Sequence, residues 1–370
     1  MSGGTRQTFN PGLNRVTLGH FGGLPDGMAG SLAHEWLATW SIAPRMRAEL
    51  GTPDLPPIPA ARKRDIARLC LQRLPRRTQG LPSLLRSSVG ELHARKMRVC
   101  SRYPEALEER LSRGDPRAAA FADRLGLALA ALVATLKLAP AESRAARPDW
   151  PETHWNRWGQ VNDIVLGGGV LSGTLGQHLA STAREWLPRL GVEGVRLHLF
   201  AQPRLLMLHG AARQYREGPV LVLDAGHTAV KRAYAEVSAG EVQEVRPAPL
   251  LPTPYEVSDG HRLLDFLAGA MLETLSAQER AEQVAVSLSA HLDGAGNVSP
   301  ATAASSFYGS LAGLDLEAGL RERLDGRLGP SCQVRVIHEG QAAVHGLPGM
   351  DAALLLGTSV GGALRGRGER

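Results

Sequence analysis

Asp224, Ala225, Gly226, His227 and Thr228 follow one another where the apolar run PVLVLDAG (219–226) ends. A loop that cradles phosphate needs backbone N–H groups turned toward the anion, a glycine where a side chain would block approach, and a hydroxyl that can donate. In that pattern Asp224 could hold magnesium through water while Thr228 and the neighbouring amides hold a phosphate. An ordinary buried strand can also end in Asp-Ala-Gly, so this loop alone decides nothing. Two further runs of the same kind stand in the chain. Gly357-Thr358-Ser359-Val360-Gly361-Gly362 follows the apolar segment at 352–356, and Gly167-Gly168-Gly169 closes NDIVLGGGV (162–170) ahead of LGQHLASTAREWL. Each could be a plain turn, yet three junctions of apolar strand and bare backbone suit a nucleotide lying against main chain.

The elements that must carry these loops are legible from periodicity. Strands are predicted at 219–226, 231–237, 284–290, 332–338, 352–357, 162–167 and 195–200, with a hairpin across Ala239-Gly240. Leu263, Leu264, Phe266, Leu267, Met271, Leu272 and Leu275 recur at helical spacing, and 314–329, 205–217 and 115–138 are also predicted helices. The seven strands are expected to divide between two similar sheets. Before residue 145 the chain reads as mostly helical, broken by Pro-rich stretches at 53–59 and 75–82.

A chain of 370 residues suits two lobes, and 43% hydrophobic with 21% charged residues is the balance of a globular protein. The net charge of +6 is spread widely, except for a basic run between Arg62 and Arg98. That run reads as a solvated helical face, with a nucleic acid or phosphorylated partner as its other reading. Cys70, Cys100 and Cys332 are too scattered for a zinc or redox pair, so no structural zinc is expected. The first residues lack the apolar core of a secretory signal, and the apolar stretch Leu125 to Ala139 is too short to span a bilayer. A cytoplasmic protein with no membrane partner is expected.

Taken together, several segments resemble the ROK family of bacterial sugar kinases, within the actin-like, hexokinase-like ATPases. GDPRAAAFADRLGLALAALVATL (114–136), DIVLGGGVLSG (163–173) and LHGAAR (208–213) are similar to that family's adenosine-side half. VLVLDAGHTAVKRAYAEV (220–237) resembles its first phosphate loop and LLLGTSVGG (354–362) its second. The segment 308–343 resembles the stretch ending in N-D-A-N-A-A, and Gly19-His20 with GSLAHEWLATWSIA (30–43) resembles the sugar-site elements. The resemblance implies a two-lobed α/β, ribonuclease H-like fold, circularly permuted because the G-G-G half precedes the first phosphate loop, with a helical insertion near the N-terminus (43–100 being the least matched part). Its lobes would be 1–217, completed by 341–370, and 218–340. A short link at Glu217-Gly218 would join the family's old ends, which a surface location makes inexpensive.

The same resemblance implies an ATP-dependent kinase of a hexose or amino sugar. ATP and magnesium would be held by Asp224, Gly226, Thr228, Gly357, Thr358, Gly361, Gly167, Gly168 and Gly169, and the sugar by His20, Glu35 and His338. Glu339 stands where the family places its catalytic Asp. The helix start beside it favours a charged carboxylate, so Glu339 is expected to be ionised near neutral pH. His20 read alone is more commonly a surface or capping residue, and Glu35 a solvated helix residue. Trp150, Trp155 and Trp158 are expected to pack rather than stack on a ligand, and Lys231 to be structural. His227 in the first loop, Thr17 in place of a sugar-site Glu, and Glu339 itself leave a second reading, a non-catalytic nucleotide- or sugar-binding relative. A transcriptional regulator is the third, without a helix-turn-helix pattern to support it. A sugar is the expected small-molecule partner; nucleic acid is not expected, and a homodimer is left open.

Overall fold

A computed structural model describes residues 12–51, 55–58, 92, 95–276, 279–300 and 307–366. It is a mixed α/β structure with two sheets, and the chain divides into two compact units. The strands in chain order are β1 (Asp163–Gly167), β2 (Arg196–Leu199), β3 (Gly218–Ala225), β4 (Ala229–Ser238), β5 (Glu241–Pro247), β6 (Leu251–Pro252), β7 (Gln283–Leu288), β8 (Gln333–His338), β9 (Ala352–Leu356) and β10 (Val360–Leu364). Residues 43–50 of the predicted helical insertion belong to the helix Thr39–Leu50, whereas most of the rest of 43–100, and most of the basic run within it, lie outside the described residues.

One unit is built on Met207–Gly346 and holds the sheet ordered β5-β4-β3-β7-β8, with β6 paired to β4. β4 runs antiparallel to both β3 and β5, whereas β3, β7 and β8 are mutually parallel. The hairpin between β4 and β5 turns at Ala239 and Gly240, both with positive φ (54° and 77°), as a primed two-residue turn requires. One face of this sheet, carrying Leu221, Leu223, Val284, Val286, Val334 and Val336, packs on the helices Gly260–Leu272 and Leu316–Leu328. Both helices start at an aspartate, Asp259 and Asp315, whose side chain accepts an amide of the first turn.

The other unit comprises Phe9–Ile58, Val99–Leu206 and Leu347–Arg370, with the sheet β10-β9-β1-β2. β9 and β10 are antiparallel, while β9, β1 and β2 are parallel. β9 is buried at all five positions and β1 at four of five. This explains their unbroken apolar sequence: both faces of a parallel sheet are covered. The helix Pro116–Leu138 begins at the Asp115 cap with Pro at its first position and stops at Ala139 (φ 46°), which Pro140 follows. At Gly126 it meets the helix Gly173–Trp186 so closely that an added Cβ would stand 2.5 Å from the Thr182 Cβ. The helix Pro116–Leu138 agrees with the one predicted at 115–138, and the apolar run from Leu125 is its second half. Its 23 residues are long and apolar enough to cross a membrane, but 78% of the apolar window is buried inside the protein.

Candidate functional site

The register of one sheet assembles the first cluster. Asp224 is next to last in β3, and its partner across the antiparallel ladder is Lys231 on β4, while across the parallel ladder it is Ser287 on β7. Residues opposite one another in a sheet project to the same face, so these three side chains stand in a row. Lys231 Nζ lies 2.5 Å from Asp224 Oδ2, and Ser287 Oγ donates to Asp224 Oδ1 at 3.1 Å. Asp224 is only 1% exposed. A buried carboxylate needs such partners, because an unpaired charge there would be costly.

Just past the ends of these strands come Gly226, Ser289 and Glu339, the last opening the helix after β8. Ser287 pairs with Ile337, and Glu339 follows Ile337 by two positions. Ser289 hydrogen-bonds the Glu339 carboxyl. Desolvation and the nearby Asp224 charge raise the Glu339 pKa from 4.5 to about 7, against the opposing pull of Ser289 and Lys231. The expected full ionisation near neutral pH is therefore corrected. Glu339 does open the helix Glu339–His345, but seven residues make a weak dipole beside a buried carboxylate of like charge.

His338 is the N-cap of that helix. Its Nδ1 accepts the Gly340 amide at 3.0 Å, and the ring is 6% exposed. Burial, with His291 at a ring distance of 6.2 Å, pushes its pKa down to about 4. One ring nitrogen thus serves the backbone rather than a ligand.

The loop after β3 is held from one side by three hydroxyls. Thr253 Oγ1 and Tyr308 Oη both donate to the Gly226 carbonyl, at 2.8 and 2.9 Å, and Tyr255 Oη donates to the His227 carbonyl at 2.7 Å. Phe307 ties the two tyrosines together, with ring centroids 4.6 Å from Tyr255 and 4.9 Å from Tyr308. Tyr308 is fully buried, and burial together with Asp224, Tyr255 and Glu339 drives its pKa well up, so it remains a neutral donor. At Gly226 a Cβ would stand 3.0 Å from the Ala229 carbonyl, which is why glycine suits this bend.

The other unit brings the remaining glycine runs together. Gly168 has φ 99°, and a Cβ there would lie 2.3 Å from the carbonyl of Leu356, the residue before Gly357. Gly167–Gly169 and the turn Gly357, Thr358, Gly361 thus occupy adjoining ends of the paired strands β1 and β9. Thr39 donates to the Gly357 carbonyl through both its amide (2.8 Å) and its hydroxyl (2.6 Å). Of the predicted sugar contacts, the Glu35 carboxylate accepts the Leu32 amide at the start of its own helix, and the His20 amide donates to Glu142. Thr17 forms a single bridge with Leu32. Trp150, Trp155 and Trp158 are buried, with Trp150 against Trp155 and His154, as expected of packing residues.

Sequence reasoning missed Ser287, Ser289, Thr253, Tyr255 and Tyr308, and it gave Lys231 no partner. The signal for the serines was present: in VAVSLSAHL two hydroxyl residues two apart interrupt an apolar strand, so they share one face. Among the described residues no group of three or more His, Cys, Asp and Glu is gathered as a metal site. No family model and no curated protein matches the chain.

Proposed function

We propose that the chain is an ATP-dependent phosphotransferase of the actin-like, ROK-like class, circularly permuted, acting on a hexose or amino-sugar hydroxyl. One observation carries the reading: Asp224 and Glu339, far apart in sequence, share one end of one sheet, and Glu339 has a pKa of about 7, suited to a general base at neutral pH. The topology supports it. In one sheet an antiparallel hairpin leads into two parallel strands, and the other sheet repeats the pattern, with its hairpin β9–β10 placed after its parallel strands in the chain. A circularly permuted second copy of a ribonuclease H-like sheet would have this order.

In this reading Glu339 takes the proton from the acceptor hydroxyl as that oxygen attacks the γ-phosphorus in line. The bond to the β–γ bridging oxygen breaks and ADP leaves. Magnesium fits the donor chemistry: the Asp224 carboxylate offers hard oxygens, and each keeps a lone pair beyond those used by Lys231 and Ser287. Asp224 would hold the ion, whose contribution is to neutralise charge on the phosphates. Lys231 holds Asp224 in place and limits the negative charge beside Glu339.

The second reading, a non-catalytic nucleotide- or sugar-binding relative, is favoured by the same ammonium, since Lys231 already neutralises the carboxylate that magnesium would use. A coupled assay of ADP release over a panel of hexoses and amino sugars separates the two. Glu339→Gln should lower sugar-dependent turnover by about 10²- to 10⁴-fold while leaving ATP affinity nearly unchanged. ATP binding with no turnover on any acceptor would favour the binder.

A further inference from the structure

Resting on the phosphotransferase reading, we propose that Thr253, Tyr255 and Tyr308 are positioning residues that aim the backbone amides of His227 and Thr228 at the phosphate chain of the nucleotide. The argument begins with the peptide plane. In a trans peptide the N–H points opposite to the C=O across the same bond, and the described chain has no cis peptide. The Gly226 carbonyl is turned to Thr253 and Tyr308, so the His227 N–H faces away from them. The His227 carbonyl is turned to Tyr255, so the Thr228 N–H faces away from it. Because Phe307 joins the tyrosines into one cluster, the two carbonyls are drawn to a common strap. Two successive amides are thereby oriented away from that strap, and consecutive amides of this kind form an anion-binding concavity.

The strap contains more than packing alone would require. Filling the space beside the loop needs only rings, yet each of the three side chains ends in a hydroxyl that meets a loop carbonyl. The Gly226 and His227 carbonyls would lose these donors if their peptides turned over, so the arrangement resists peptide rotation. The other unit uses the same device once more, with Thr39 Oγ1 on the carbonyl of Gly357 in its own glycine turn. Orienting these amides before binding avoids reorganisation when the charged ligand arrives.

The two donors on Gly226 are redundant, which gives the proposal a signature. Thr253→Val or Tyr308→Phe alone leaves the carbonyl one partner and should weaken ATP binding by no more than about threefold, whereas the double variant should weaken it by about tenfold or more. Tyr255→Phe, acting on the other carbonyl, should weaken it by itself. Calorimetry with ATP, tripolyphosphate and adenosine reads the effect. The double variant should lose affinity for ATP and tripolyphosphate alike, keep its affinity for adenosine, and recover when Thr253 is Ser rather than Val in the Tyr308→Phe background. Equal loss for adenosine, or no loss at all, overturns the proposal while the phosphotransferase reading stands. If the unmutated chain binds neither ATP nor tripolyphosphate, that reading fails and the proposal falls with it. Should the double variant not fold, ¹⁵N shifts in the unmutated protein decide: tripolyphosphate must move the His227 and Thr228 amides more than their neighbours, and unmoved amides overturn the assignment.

Discussion

Glu339→Gln tests the electrostatics of the site without any substrate. The carboxyl titrates near 4.5 when unfolded and near 7 in the native protein, since burial and Asp224 disfavour its charge. Between those values the folded chain keeps a proton that the unfolded chain has lost, so stability falls as pH rises. Below about pH 4.5 both states are protonated and the group contributes nothing to the slope; above about pH 7 the full cost of ionisation is present. The shift corresponds to about 3 kcal/mol. Glutamine keeps the shape and a hydrogen-bond acceptor for Ser289 but cannot ionise. The variant should therefore gain stability relative to the unmutated protein as pH rises from 5 to 8, by up to about 3 kcal/mol, with the two converging near pH 4.5. Denaturant unfolding of the full chain at half-unit pH steps reads the difference. An offset between the two proteins that does not change with pH would refute the reasoning, because it would mean that residue 339 is ionised, or neutral, throughout the range.

Two further outcomes follow from the same contacts. By ¹³C carboxyl titration the Glu339 midpoint should fall in Asp224→Asn, which removes a repelling charge, and rise in Lys231→Met, which removes an attracting one; movement of both in one direction would contradict the assignment. Gly210→Ala should destabilise the protein by several kcal/mol, because the added Cβ would stand 1.5 Å from the Ala342 carbonyl where the helices Leu206–Ala212 and Glu339–His345 touch; a thermal melt unchanged from that of the unmutated protein would show that this approach is not maintained in solution.

Much of the scaffold was legible in the chain. The apolar runs ending in glycine at 219–226 and 352–357 became β3 and β9, Leu263 to Met271 at helical spacing became a helix packed on the sheet, and Ala239-Gly240 became the hairpin turn. These are local matters: a side-chain period of two or near four, and the tolerance of one residue for positive φ, are properties of a short stretch. Asp224 and Glu339 could likewise be singled out, since each stands where an apolar strand stops.

The tertiary structure decided what surrounds them. Ser287 is 63 residues from Asp224, and only the parallel register of β3 and β7 makes the two neighbours. Lys231 is close in sequence, but its meeting with Asp224 needed the antiparallel register of β3 and β4. Glu339 looked like a charged residue at a helix start, and it is its own burial, with a second carboxylate beside it, that raises its pKa to about 7. His338, read as a sugar contact, has one nitrogen spent on the Gly340 amide. Burial and the proximity of charges depend on pairings across long sequence separation, which no local pattern encodes. The sequence therefore named the carboxylates, and the packed sheet set their charge.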